Sequence, residues 1–291
     1  MTSEAGKTLR HLIEARTATL IPGVTNALSA HVAEDAGFEA LYVSGAGVSN
    51  MTLGVPDIGL ITLNDICDTV ASIRRVCDLP LIVDADTGFG NAVNVWHTTR
   101  TLEQFGANAM QLEDQDFPKR CGHFDGKSVI EAGEMVEKIH AAREARRSPD
   151  FLIIARTDAF AMHGLDEAMR RAELYIKAGA DITFVEAPGS PDDLRRIMRE
   201  LSVPQVVNMV IGGKTPPCTL EELQSMGAGL VLYANAALQG ALLGMRRALE
   251  HLRKTGMLTE EDGLVAGFAE RQRSVRKQHY DALDARYSTG S

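Results

Sequence analysis

The stretch FGANAMQLED, residues 105–114, ends one helix-like segment, turns at Gly106 and continues into an apolar run that closes on acidic residues. The same order of features recurs in AGFEALYVSG (36–45), AGADITFVEA (178–187) and MGAGLVLYAN (226–235). A glycine just past a helix is typical of a C-cap, and a short aliphatic run is typical of a strand buried on both faces. The repeated order therefore predicts helices that alternate with parallel strands.

Eight such apolar runs are present, at Thr19–Val24, Ala40–Ser44, Leu79–Asp84, Ala109–Glu113, Phe151–Arg156, Asp181–Glu186, Gln205–Val210 and Leu230–Tyr233. Segments with helical spacing precede glycines at Ala27–Ala36, Val93–Phe105, Leu165–Ala178 and Leu220–Met226. Eight strands with intervening helices predict the α/β class and a (β/α)8 TIM barrel, with a doubly wound open sheet as the alternative. We expect one barrel domain over residues 1–291.

The C-terminal part of the chain is longer than a barrel needs. Ala237–Lys254 has helical spacing, and the polar segment Thr259–Tyr287 predicts one or two more helices. Extra helices of this kind often serve subunit packing, so we expect residues 237–291 to support a homo-oligomer. The segment from Asn50 to Asn64 lacks an early helix pattern and is expected to be an active-site loop that carries Asp57.

Composition limits the classes of partner. The 291 residues carry a net charge of −9 with no long basic run, which argues against nucleic acid as a partner. No apolar stretch is long enough for a membrane span, and the N-terminus has no apolar signal core. The four cysteines have no CxxC spacing and are too few for a disulfide framework, which suits the cytoplasm. We therefore expect a cytoplasmic protein with a small-molecule partner.

Polar residues follow the predicted strands at their C-terminal ends, which form the catalytic face of a barrel. They are Ser44, Asp84, Asp86, Glu113, Arg156, Asp158, Glu186 and Asn208. With Asp57, three of the acids (Asp84, Asp86 and Glu113) can form an oxygen-rich shell for a hard cation. Mg2+ takes one or two protein carboxylates together with waters and substrate oxygens. The sequence therefore predicts a Mg2+ site, which Mn2+ could also fill.

The run Lys119-Arg120-Cys121-Gly122-His123 combines three side chains suited to proton transfer near neutral pH. Cys121 is the candidate acid or base, with Lys119 and His123 setting its pKa, and Gly122 permits close backbone approach to a ligand. Arg156 is placed to grip a carboxylate through two parallel hydrogen bonds, or to pair with Asp158 or Glu186. Asn208 can donate to a carboxylate oxygen, and Ser44-Gly45-Ala46 can offer a hydroxyl and backbone N–H groups.

These motifs together resemble the isocitrate lyase and phosphoenolpyruvate mutase superfamily. The resemblance rests on the 119–123 run with Tyr42–Gly45, Pro56-Asp57, Asp84–Gly90, Leu112–Gln115, Ala155–Ala159, Glu186-Ala187 and Asn208. It implies a barrel with one helix swapped between the subunits of a homotetramer. It also implies that Asp84 ligates Mg2+ while Asp57, Asp86 and Glu113 hold its waters. Ser44, Gly45 and Ala46 would then bind an α-keto acid with Arg156, and Gly122, Glu186 and Asn208 would complete the substrate-binding set.

The Cys-Gly-His element favours the carbon–carbon lyases of that superfamily, in which Cys121 would protonate the departing enolate, over its phosphonate mutases. Methylisocitrate lyases resemble this chain in length, but the segment Asn208–Gly213 and Gln239, found where an Arg is expected for a third carboxylate, differ from their pattern. A buried carboxylate without its cation is costly. We therefore expect a 2-hydroxy dicarboxylate such as 2,3-dimethylmalate, with a methylisocitrate lyase, an oxaloacetate hydrolase and a phosphonomutase as alternatives.

Overall fold

A computed structural model describes residues 2–120, 122, 126–213, 215 and 217–288. Eight parallel strands form one sheet in the order β6-β5-β4-β3-β2-β1-β8-β7. A parallel bridge between Thr183 and Gln205 links the β6 and β7 ends, so the sheet is a nearly closed barrel. The TIM barrel prediction is confirmed, and the open doubly wound sheet is excluded by that bridge and by the β1–β8 pairing.

The strands are β1 Thr19–Val24, β2 Leu41–Val43, β3 Leu81–Asp84, β4 Ala109–Glu113, β5 Leu152–Thr157, β6 Ile182–Val185, β7 Val206–Asn208 and β8 Leu230–Tyr233. The barrel helices are α1 Thr2–Glu14, α2 Ala27–Asp35, α3 Gly45–Val48, α4 Leu63–Arg74, α5 Ala92–Phe105, α6 Ala132–Ala145, α7 Phe160–Ala178, α8 Pro191–Glu200 and α9 Leu220–Met226. The chain continues into α10 Ala236–Thr255, α11 Phe268–Ser274 and α12 Lys277–Tyr287.

The predicted strand ends differ from the structure by at most two residues, but two other predictions differ by more. Helix α7 was predicted to begin at Leu165 but begins five residues earlier, at Phe160. A helical turn precedes Gly164, whose φ of 78° interrupts the regular helix. The segment 50–64 is not all loop, since a π-helical turn covers Ser49–Leu53 and α4 begins at Leu63. The residues between these two helices carry Asp57 toward the strand ends, as expected.

The barrel interior is filled by one apolar cluster with members from all eight strands, joined by Leu9 and Ile13 of α1. Two further clusters fill the space between strands and helices. Gly23 of β1 lies so close to the chain after β8 that a β-carbon would come within 1.8 Å of the Ala234 carbonyl oxygen. Close packing of this kind leaves the C-terminal ends of the strands as the open end that carries the polar residues.

Candidate active site

A cavity lies at the C-terminal ends of the strands and collects most of the predicted site residues. Its wall includes Ser44, Ala46, Asp57, Asp84, Glu113, Lys119, Gly122, Arg156, Glu186 and Asn208. Gly45 and Asp86 lie directly beside this wall, since a β-carbon at Gly45 would come within 3.1 Å of both the Asp84 and the Asp86 carboxylates. Cys121 and His123 lie outside the described residues.

Arg156 is the most heavily paired cation of the cavity. Its Nε and Nη2 donate to the two carboxylate oxygens of Asp158 at 2.8 and 3.1 Å. Glu113 lies 3.5 Å from Nε, and Glu186 lies 3.4 Å from Nη1. Burial disfavours the charge of Arg156, but these three carboxylates outweigh it and raise the pKa of Arg156 well above its ordinary value. The guanidinium therefore stays charged and fixed in orientation, as a carboxylate-binding group requires.

Asp158 is held by Arg156 and by Lys127, a residue that the sequence did not single out. Burial would raise its pKa, but Arg156 and Lys127 together lower it. The Lys127 ammonium donates to Asp158 at 2.7 Å and to the Gly122 carbonyl oxygen at 2.5 Å. Lys127 therefore links Asp158 at the cavity floor to the backbone at Gly122.

A buried network behind the cavity fixes the end of β5. Asp114 accepts hydrogen bonds from the Asp158 backbone N–H at 2.9 Å and from the Thr157 hydroxyl at 2.8 Å. From α7 it accepts the Tyr175 hydroxyl at 2.7 Å and Arg171 at 3.1 Å. Arg171 and Tyr175 are four residues apart and so share one helix face. The spacing of Arg171 and Tyr175, together with the acid Asp114 next to Glu113, was the sequence signal from which this network could have been predicted.

Lys119 lies inside the acidic cluster. Its Nζ is 2.5 Å from Asp57 and 2.9 Å from Asp86, and its side chain is 4% exposed. Burial raises the pKa of Asp86 to about 7, with Asp84 and Asp57 adding to the rise and Lys119 opposing it. The structure thus gives Lys119 a role in neutralising these acids, in addition to the role expected of it beside Cys121.

Hard oxygen ligands are available for a divalent cation. Asp84 is oriented by the backbone N–H groups of Gly45 at 3.3 Å and Asp86 at 3.2 Å, and by the Gln111 amide at 3.5 Å. Within the described part of the chain, Glu113 Oε1 is a buried acceptor with no hydrogen-bond partner, which is an atom that a cation or its waters would satisfy. No three His, Cys, Asp or Glu side chains among those described enclose a metal alone. Such a donor set fits Mg2+ or Mn2+, which keep waters and substrate oxygens as ligands.

The Ser44–Ala46 turn is arranged differently from the prediction. Ser44 is the N-cap of α3, and its hydroxyl oxygen accepts from the Gly47 N–H at 3.1 Å. The Gly45 N–H points to Asp84 and not into free space. Ser44 Oγ also donates to Asn235 at 3.4 Å, and Asn235 lines the cavity although no sequence pattern pointed to it.

Gln239 does not lie where the sequence argument placed it. It is exposed on α10 and does not line the cavity. The wall on this side is instead formed by Val210, Leu232 and Ala234. The absence of an Arg at position 239 therefore says nothing about a third substrate carboxylate in this chain.

Comparisons with known proteins identify the family of this chain. The family model for phosphoenolpyruvate phosphomutase matches residues 9–253. The chain belongs to the phosphoenolpyruvate mutase and isocitrate lyase superfamily. Within this superfamily it is an enzyme of the carbon–carbon lyase type.

Three members of the superfamily illustrate the similarity. A 2-methylisocitrate lyase from Aeropyrum pernix is 45% identical over 88% of this chain and 82% of its own. A 2,3-dimethylmalate lyase from Eubacterium barkeri is 41% identical over 81% of this chain and 82% of its own. The structure of an oxaloacetate acetylhydrolase with 3,3-difluorooxalacetate has a TM-score of 0.92 and 33% identity, covering 98% and 97% of the two chains.

Gly122 lies against the two charged residues of the cavity floor. A β-carbon there would come within 2.4 Å of Arg156 Nη2 and 2.7 Å of Glu186 Cγ. We predict that Gly122→Ala lowers kcat/KM by about 100-fold on the best substrate of the wild-type enzyme, because Arg156 or the segment at 122 must shift by a large fraction of an ångström. The melting temperature should stay within a few degrees of wild type.

Gly133→Ala is the matched control, because a β-carbon at Gly133 on the exposed face of α6 meets nothing within 4 Å. This variant should keep full activity. Full activity of Gly122→Ala would show that the close approach to Arg156 is not needed for turnover.

Proposed function

We propose that the enzyme cleaves a 2-hydroxy dicarboxylate, of the 2,3-dimethylmalate kind, into an α-keto acid such as pyruvate and a second carboxylate. The observation that carries this proposal is the buried Arg156 guanidinium, which faces the cavity between Glu113 and Glu186 beside a cluster of carboxylates. A fixed guanidinium suits a carboxylate, and oxygen ligands suit a cation that chelates a 2-hydroxy acid.

Asp84 would hold the Mg2+ ion, with Asp57, Asp86 and Glu113 holding its waters, and Mn2+ could replace it. When bound, the metal would polarise the hydroxyl and carboxylate oxygens of the substrate as a Lewis acid. The orientation of Asp84 by Gly45, Asp86 and Gln111 supports this assignment, because a ligand needs its own supporting hydrogen bonds.

The chain's own residues supply the remaining steps. Arg156 would hold the 2-hydroxy acid end where it lies beside the turn of Ser44, Gly45 and Ala46, and Glu186, Asn208 and Gly122 would complete the cradle. The acidic cluster would accept the hydroxyl proton as the hydroxyl becomes the keto group. The C2–C3 bond then breaks, its electron pair passes to the departing carboxylate as an enolate, and Cys121 gives that carbon a proton. Lys119 and His123 would stabilise negative charge during this step.

The cavity wall supports a substrate with an apolar branch. Val210, Leu232 and Phe184 also line it, and the Phe184 ring lies 5.3 Å from the Arg156 guanidinium. Methyl groups next to such a wall gain from removal of apolar surface from water. Methylisocitrate remains the second candidate, because a relative named for that activity is 45% identical. The likeness to an oxaloacetate acetylhydrolase makes oxaloacetate the third.

A substrate panel tests the assignment. With Mg2+ present, pyruvate release from 2,3-dimethylmalate should exceed that from 2-methylisocitrate by at least about tenfold in kcat/KM, because the apolar wall of Val210, Leu232 and Phe184 suits methyl groups better than a third carboxylate. Release is followed by coupling to lactate dehydrogenase. Oxaloacetate is followed by loss of enol absorbance, since its decarboxylation also yields pyruvate. A preference for methylisocitrate would contradict the dicarboxylate assignment.

A Cys121→Ala variant separates lyase from phosphonomutase chemistry. This variant should lose carbon–carbon cleavage, whereas rearrangement of a carbon–phosphorus bond moves the phosphoryl group within the substrate and leaves no carbanion to protonate. A Cys121→Ala enzyme with full activity would remove Cys121 from the mechanism. Chelation of Mg2+ should stop turnover in wild type and its return should restore it.

We also propose that the enzyme is a homo-oligomer, a tetramer by resemblance, packed through its C-terminal helices. Helix α10 has 20 residues and buries none of them within the described chain. Leu242, Met245 and Leu249 recur at helical spacing along one side of α10 and, like Leu243, are each about half exposed or more, which is typical of a helix face that packs against a partner. Light scattering should give a mass near four times 31.5 kDa. Leu249→Asp should lower that mass, and a monomeric wild type would overturn the proposal.

A further inference from the structure

Asn235 occupies the N-cap position of α10 but does not cap the helix. Asn26 and Asn91, at the same position of α2 and α5, accept hydrogen bonds from backbone N–H groups of the first helical turn. The side chain of Asn235 makes no such bond, and its φ of −120° and ψ of 8° differ from the extended backbone of the other two caps. Asn235 therefore does not cap the backbone N–H groups of the helix, which is the usual function of an asparagine at this position.

The Asn235 side chain is directed to the active-site cavity instead. Its Oδ1 accepts the hydroxyl hydrogen of Ser44 at 3.4 Å, while Ser44 Oγ accepts the Gly47 N–H at 3.1 Å. A hydroxyl has a single hydrogen to donate, so Ser44 has none left for a ligand in this arrangement. The two hydrogens on Asn235 Nδ2 have no partner in the described part of the chain, and Asn235 lines the cavity.

We propose that Asn235 is a substrate-binding residue that donates its amide N–H to a substrate carboxylate and holds the Ser44 hydroxyl in place. This inference rests on the proposed carboxylate substrate. The cavity wall carries the carboxylates of Asp84, Glu113 and Glu186, which repel an anion. A substrate carboxylate therefore needs neutral or positively charged hydrogen-bond donors in addition to Arg156. An amide supplies such a donor without adding a titrating group. Asn235 therefore takes the donor role that the sequence assigned to Ser44.

Two variants test the inference through oxalate, a dianion that resembles the acid end of an α-keto acid enolate. Asn235→Asp keeps an acceptor for Ser44 but replaces the donor with a negatively charged oxygen, and Asn235→Ala removes both functions. Titration calorimetry with excess Mg2+ should show oxalate binding weakened by about tenfold or more in Asn235→Asp, and by less in Asn235→Ala. Both variants should keep the wild-type melting temperature, because no cap is lost.

Asn26→Ala is the matched control, since Asn26 is exposed and caps α2. It should lower the melting temperature and leave oxalate binding unchanged. Equal oxalate affinity in Asn235→Asp and wild type would overturn the inference, whatever the substrate panel shows. Weaker oxalate binding in Asn235→Asp, with no dicarboxylate cleaved by wild type, would support the inference and refute the proposed function. A wild type that does not bind oxalate would refute the carboxylate role of Asn235.

Discussion

The pairing of the Arg156 guanidinium with Asp158 is the interaction on which the active site depends. Removal of a guanidinium from water costs several kcal/mol unless charged partners surround it, and here Asp158, Glu113 and Glu186 do so. Asp158 is itself fixed by Lys127 and, through its backbone, by Asp114. Loss of any of these partners would leave a buried charge uncompensated, so the barrel end and the site stabilise each other.

The charges around the cavity explain why a cation fits this site. Among the described residues, six carboxylates face four cationic side chains around the cavity: Asp57, Asp84, Asp86, Glu113, Asp158 and Glu186 against Lys119, Arg120, Lys127 and Arg156. Burial raises the pKa of Glu113 well above its ordinary value, with Arg156 and Lys119 opposing the rise. An anionic substrate would add further negative charge to this excess of acids. A divalent cation held by Asp84 would offset both and is therefore consistent with the carboxylate chemistry proposed for the site.

Three of the eight strands were predicted with the correct first and last residues. Thr19–Val24, Ala109–Glu113 and Leu230–Tyr233 match the structure residue for residue, because burial on both faces leaves no other register for such a run. The predicted rim residues also meet in one cavity, since parallel strands bring their C-terminal ends together. The sequence could not show which side chains pair with each other. Arg171 and Tyr175 share one face of α7, but their spacing alone does not identify Asp114 as their partner. Spacing also does not show that Asn235 faces the cavity or that Gln239 is exposed.

Oxalate binding to an Arg156→Lys variant is the most direct test of this account. Lysine keeps the positive charge but cannot form two parallel hydrogen bonds with a carboxylate. With excess Mg2+ and a variant shown to be folded by circular dichroism, oxalate should bind more weakly than to wild type by about tenfold or more. Unchanged affinity would mean that Arg156 serves the fold alone and that another group holds the substrate carboxylate.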